Sequence, residues 1–146
     1  MHLTTEQIKQ YIPQREPFLL IDEVEDFTPG EHVTAIKNVR ADEYYFKGHF
    51  PGNPVMPGVL IIEAIAQAGV VGVLSLPENK GRNVFFGGVD NARFRDMVVP
   101  GDKLRITVKF EALRSRGGKG HGEVKKILPD GTEKHCASAD LVFMFS

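Results

Sequence analysis

Apolar and polar residues alternate through much of the second half of the chain. Leu104, Ile106, Val108 and Phe110 interleave with Arg105, Thr107, Lys109 and Glu111, a period of two that predicts a strand with one buried and one wet face. His135 to Phe145 repeats the pattern, with Ala137, Ala139, Leu141, Phe143 and Phe145 on one side. Gly122 to Leu128 reads as a strand closed by a Pro129-Asp130-Gly131 turn, and Gly117 to Gly120 as a hairpin tip. The glycine run is no phosphate loop, because no strand-to-helix context surrounds it. Further upstream, Phe18 to Phe27 and His32 to Val39 are rich in β-branched and large apolar residues and flank Thr28-Pro29-Gly30, which predicts a hairpin. Asn83 to Met97 reads as a strand with a bulge or a close backbone approach at Gly87-Gly88. Near the start, Thr4 and Gln7 suit a capping box, and Ile8, Tyr11 and Ile12 share one side of a short helix that Pro13 ends.

Gly48 to Leu74 breaks this alternation. Three prolines (Pro51, Pro54, Pro57) and three glycines (Gly48, Gly52, Gly58) first shape a loop, since proline fixes φ and glycine frees it. Val59 to Leu74 is then apolar all round, without the polar stripe of a surface helix. Such a helix has to be enclosed. One buried helix and about six strands joined by short connections predict a single α+β domain over residues 1–146, a sheet curled around a helix. Tyr44, Tyr45 and Phe46 enter the loop, as core packing or as the wall of a substrate channel.

Between Pro54 and Leu76 the only charged residue is Glu63. A buried carboxylate costs several kcal/mol unless it is paired or protonated. Two readings fit: a structural group met by an arginine or backbone donors, or a general acid with a raised pKa. His49 lies fourteen residues earlier in the loop, and an imidazole beside such a carboxyl makes a base-and-acid pair. Gln67, four residues after Glu63, shares its helical face. It could orient the carboxylate or hold a water, or equally cap a buried backbone group.

Composition narrows the classes. A formal net charge of −1 over 146 residues exerts no global pull on nucleic acid or membrane. Cys136 is the single cysteine, which excludes an internal disulfide and suits a reducing cytosol. The five histidines show neither HExxH nor zinc-type Cys/His spacing, so neither a metal nor another cofactor is expected. Met1 to Glu6 has no basic start or apolar core of a signal peptide. The central helix carries a mid-segment Glu and is slightly short for a membrane span. A cytoplasmic protein is expected.

The run Gly48-His49-Phe50-Pro51-Gly52-Asn53-Pro54-Val55-Met56-Pro57-Gly58-Val59-Leu60, followed by Glu63-Ala64 and Ala66-Gln67, resembles the signature of the bacterial (3R)-3-hydroxyacyl-[acyl-carrier-protein] dehydratases of type II fatty-acid synthesis, the FabZ family. The resemblance implies a hot-dog fold and a homodimer, assembled further as a trimer of dimers. Each active site would take its His from one chain and its carboxylate from the other. The related isomerising branch carries Asp at the carboxylate position and a Trp in the central helix. Here the residue is Glu63 and the chain has no Trp, which favours the non-isomerising branch.

The implied reaction removes a proton from C2 and expels hydroxide from C3 of an acyl thioester. His49 is expected as the base and Glu63 as the acid. With Pro57 at the first helical position, the Gly58 N–H becomes an orphan donor at the positive end of the helix, suited to the thioester oxygen. Gly58 and Glu63 are separated by roughly 7–8 Å along the helix, about the span of the reacting unit. Phe85, Phe86, Phe94, Val59 and Ile62 are candidates for an acyl tunnel, against an ordinary core role. The partner implied is acyl carrier protein bearing a phosphopantetheine-linked chain, docked on a basic rim to which Arg93, Arg95 and Arg116 are assigned as candidates. A hot-dog thioesterase, or a non-catalytic acyl-binding protein of the same fold, is the alternative.

Overall fold

The computed structural model describes residues 2–146. A single-turn helix α1 (Thr5–Ile8) precedes strands β1 (Glu23–Thr28) and β2 (His32–Asn38). After the Pro/Gly loop come the helix α2 (Gly58–Leu74) and strands β3 (Val84–Phe94), β4 (Lys103–Arg114), β5 (Gly117–Ile127) and β6 (Glu133–Phe145). The six strands form one antiparallel sheet in the order β1-β2-β4-β5-β6-β3. Helix α2 packs most closely on β4 and β2, and also on β5, β6 and β1. This is the α+β arrangement expected, with Ile61, Ala64, Ile65, Ala68 and Val71 of α2 meeting Val33, Ala35, Ile106, Val124 and Ala137 in the core.

The alternating patterns land as expected. Leu104, Ile106 and Val108 are buried in β4, and Ala137, Ala139 and Leu141 in β6. β3 carries its bulge between Phe86 and Gly88, and a second between Asp90 and Arg93. At that second irregularity Asn91 adopts φ 53°, and its amide donates to Asp140 at 2.9 Å.

Three expectations need correction. Residues 18–22 precede β1 rather than extend it: a side chain on α2 takes the Phe18 carbonyl and the Leu20 N–H, and the Phe18 and Leu19 N–H groups turn back to the Arg15 carbonyl. The α1 helix is shorter than its apolar pattern. Its capping box is present, but after Ile8 the chain loosens into turns, with Tyr11 N–H donating to the Ile8 carbonyl at 2.9 Å. Ile8 and Ile12 are still buried.

Gly117 to Gly120 is the third. It lies inside β5, and Ser115-Arg116 forms the tip, since Arg114 pairs with Gly117. A Cβ on Gly117 would sit 2.1 Å from the Phe143 carbonyl oxygen, and one on Gly118 2.3 Å from that of Ala112. These glycines admit close strand approach rather than a turn.

Gly122 serves the helix in the same way: an added Cβ would lie 2.1 Å from Ile65 Cγ2. Ile65 is fully buried on α2, so the depth at which the helix seats on the sheet depends on that missing methyl. Gly122→Ala should lower unfolding free energy by about 1–3 kcal/mol through overpacking. Denaturant unfolding of the two proteins measures it, and equal stability would mean that α2 seats independently of this contact.

Candidate active site

Helix α2 begins one residue later than expected. Pro57, at φ −58° and ψ 135°, is the N-cap, and Gly58 is the first helical residue. The extended ψ of Pro57 turns the incoming loop into the helix axis. Among the described residues no acceptor takes the Gly58 N–H, so it keeps the orphan-donor character of a helix start. A Cβ on Gly58 would be 3.0 Å from the Phe94 ring, which packs against this end of the helix.

Glu63 lies just over one turn further on and is half-buried. Burial pushes its carboxyl above the ordinary glutamate value of 4.5, and a hydrogen bond from Gln67 partly opposes the shift. That bond runs from Gln67 Nε2 to Glu63 Oε2 at 3.0 Å. Gln67 itself is 0 % exposed. Its Nε2 also donates to the Phe18 carbonyl at 2.9 Å, and its Oε1 accepts from Leu20 N–H at 2.7 Å. Gln67 therefore holds the carboxyl and caps buried backbone groups at once, where the sequence had left two alternatives.

His49 sits on a loop closed by its own backbone bonds. His49 N–H donates to the Tyr45 carbonyl at 3.1 Å, Val55 N–H to the His49 carbonyl at 2.9 Å, and Phe50 and Asn53 exchange a pair of bonds. The peptide between His49 and Phe50 is cis. His49 Nδ1 lies 2.8 Å from the Val55 carbonyl oxygen. That oxygen can only accept, so Nδ1 carries a proton, and in the neutral imidazole the lone pair lies on Nε2. Upstream, Lys37 and Glu43 form a 2.6 Å ion pair with side chains 1 % and 7 % exposed, and Glu43 Oε2 accepts from Arg40 N–H at 2.9 Å. This pair pins the segment leading into the loop.

Glu63 opens into a cavity of about 260 Å³ that follows α2 past Ala66, Gly69, Val70 and Val73. Phe85, Phe86, Phe110 and Phe143 form part of its wall. Phe94, Val59 and Ile62 do not. Phe94 covers Gly58, Val59 is 76 % exposed, and Ile62 is buried in the core. His49 is not part of the wall within this chain. The basic residues also separate: Arg93 and Arg95 lie at the Gly58 end of β3, whereas the Arg116 carbonyl accepts from Phe145 N–H beside Val84 at the other end.

The sequence offered no sign of the Val55 carbonyl or of the backbone of Phe18 and Leu20, because main-chain groups carry no residue-type signal. Among the described residues no cluster of His, Cys, Asp and Glu is suited to a metal ion, and no helix is long and apolar enough to cross a membrane.

A family model described as a FabA-like domain matches residues 12–132. The 3-hydroxyacyl-[acyl-carrier-protein] dehydratase FabZ of Enterococcus faecalis is 51% identical over 99% of this chain and 99% of that protein. The chain belongs to the FabZ family. Other FabZ relatives include those of Ligilactobacillus salivarius, 52% identical over 94% of this chain and 95% of that protein, and Halalkalibacterium halodurans, 48% identical over 97% of each. Among solved structures, the dehydratase heterocomplex ApeI:P from Xenorhabdus doucetiae matches with a TM-score of 0.78 over 95% of this chain and 90% of that one, at 19% identity. A hypothetical thioesterase from Streptococcus pneumoniae matches at 0.58 over 84% and 88%, at 16% identity. At those identities the likeness is one of fold. The dehydratase complex and the thioesterase share the hot-dog arrangement seen here.

Replacing Gln67 by Leu would leave the buried Leu20 N–H without a partner and the part-buried Phe18 carbonyl without its donor, the first at a cost of about 1–3 kcal/mol. Gln67→Leu should therefore be about 1–3 kcal/mol less stable in chemical denaturation, and a loss below about 0.5 kcal/mol would contradict the capping role.

Proposed function

We propose that this protein dehydrates (3R)-3-hydroxyacyl thioesters of acyl carrier protein to trans-2-enoyl thioesters in type II fatty-acid synthesis, with His49 as base and Glu63 as acid. The observation that carries this reading is the Glu63 carboxyl, the single charged group of α2, which faces a largely apolar cavity with its pKa raised by burial. The names of the FabZ relatives supply the chemical class, and the sites of proton transfer follow from the reaction.

The free Nε2 of His49 removes the C2 proton. The electrons left behind form the C2–C3 double bond as the C3–O bond breaks, and Glu63 gives its proton to the departing oxygen, so that water leaves rather than hydroxide. Negative charge grows on the thioester oxygen during proton removal, and the Gly58 N–H at the positive end of α2 stabilises it. Gln67 holds the Glu63 carboxyl in one orientation throughout. Returning the proton from His49 to Glu63 resets the site.

His49 lies outside the wall that holds Glu63 in one chain, which supports a site shared between protomers. β3 supplies a means of pairing. It is an eleven-residue edge strand hydrogen-bonded only to β6, with Phe85, Phe86, Val89 and Phe94 exposed. Such an edge is a template for another strand, and a second copy of β3 about a two-fold axis would cover it. Three such dimers would complete the assembly implied by the resemblance. Arg93 and Arg95, at the Gly58 end, are placed to meet an acidic carrier protein.

Mass spectrometry of a carrier protein loaded with a 3-hydroxyacyl group tests the activity. Loss of one water with the thioester intact is expected. Release of the carrier thiol would mean a thioesterase, and an unchanged mass a binding protein. Glu63→Gln should lower kcat by about 10²–10⁴-fold while leaving the fold intact, and His49→Ala similarly. Burial keeps the proton on Glu63 to a higher pH than in free glutamate, and ionisation removes the acid. The rate should therefore fall as pH rises through that elevated pKa, with this limb absent from the residual activity of Glu63→Gln.

A further inference from the structure

Gln14 is a polar side chain in the cavity wall for which the mechanism has no use. Its Oε1 is sealed from solvent and meets no donor, although Gln67 uses both ends of its amide. A sealed acceptor without a partner is destabilising, and native folds keep few of them. The segment is nonetheless fixed in place, since neighbouring Arg15 donates to the Ile12 carbonyl at 2.8 Å and to the Lys9 carbonyl at 2.9 Å.

Gln14 stands where two cavities meet. Beside the cavity of about 260 Å³ lies a second of about 300 Å³, and the walls of both include Gln14, Val70, Val84 and Phe85. Of these four, only Gln14 is polar. Val70 follows Glu63 by seven residues, or roughly 10 Å along the helix axis. Carbon–carbon bonds of about 1.5 Å advance an extended chain by roughly 1.25 Å per carbon, so a chain with C3 at Glu63 reaches the junction after about eight further carbons.

We propose that Gln14 limits the length of acyl chain accepted, by placing an amide at the passage from the first cavity into the second. This rests on the dehydratase reading above. A chain that stops short leaves the passage alone. A longer one must slide over Gln14 and shut away the amide nitrogen, the end of the side chain that is not already sealed, so the added methylenes bind less favourably than in an apolar passage.

The test compares 3-hydroxybutyryl, 3-hydroxydecanoyl and 3-hydroxytetradecanoyl carrier proteins as substrates for the wild type, Gln14→Leu and Gln14→Ala. The first variant keeps bulk and removes polarity, and the second keeps the assay informative if the first fails to fold. In both, the ratio of kcat/KM for the tetradecanoyl to the butyryl substrate should rise about tenfold or more. Equilibrium binding of the same carriers reads the passage without turnover. Dehydration with an unmoved length profile would overturn the role of Gln14 and leave the dehydratase standing. A length shift in binding with no dehydration of any carrier would do the reverse, and profiles unmoved in both rate and binding would overturn the proposal outright.

Discussion

The buried side chain of Gln67 is the contact on which the site depends. It ties the Phe18–Leu20 segment to α2 and holds Glu63 at the same time. An amide has both donors and an acceptor, so it can serve two backbone groups and a carboxyl without bringing a second charge into the core. A lysine or arginine there would stabilise the ionised carboxylate and pull its pKa down. The neutral amide lowers it only partly, and burial still prevails. Stability and chemistry thus constrain the same residue.

The second constraint is how closely the sheet closes on the helix. Gly122 lets Ile65 reach β5, and Gly72 leaves room for Phe110 and Val33, which an added Cβ would approach to 2.7 and 2.8 Å. That packing sets the course of α2, and with it the placing of Glu63, Ala66, Val70 and Val73 along one cavity. His49 is held separately, by a loop whose backbone bonds close on themselves and whose approach is pinned by the Lys37–Glu43 pair. A buried ion pair of this kind adds little net stability, but losing one partner strands the other charge. Its contribution here is to fix the approach to the His49 loop.

Much of this was legible in the residue pattern. The period of two gave β4 and β6 because each has one wet face, and α2 stood out because a helix apolar on every side has to be enclosed. Glu63 was conspicuous as the lone charge within it. The misreadings have physical causes. A glycine run looks the same whether it turns the chain or lets strands approach, so Gly117–Gly120 was placed at a tip. Residues 18–22 are β-like in composition, but a distant amide takes the Phe18 carbonyl and the Leu20 N–H. Phe94 and Phe85 are alike in type, and only the course of β3 puts one over Gly58 and the other in the cavity wall. The Val55 carbonyl that orients His49 has no signature in sequence at all.

Burial raises the pH at which Glu63 gives up its proton. Its side-chain carboxyl can be followed across pH by carbon NMR of protein labelled at glutamate, with Glu63→Gln identifying the resonance. The structure predicts a midpoint above 4.5, the ordinary value for the group. A midpoint at or below that value would mean that Glu63 is held as an ordinary carboxylate, and would remove the acid from this site.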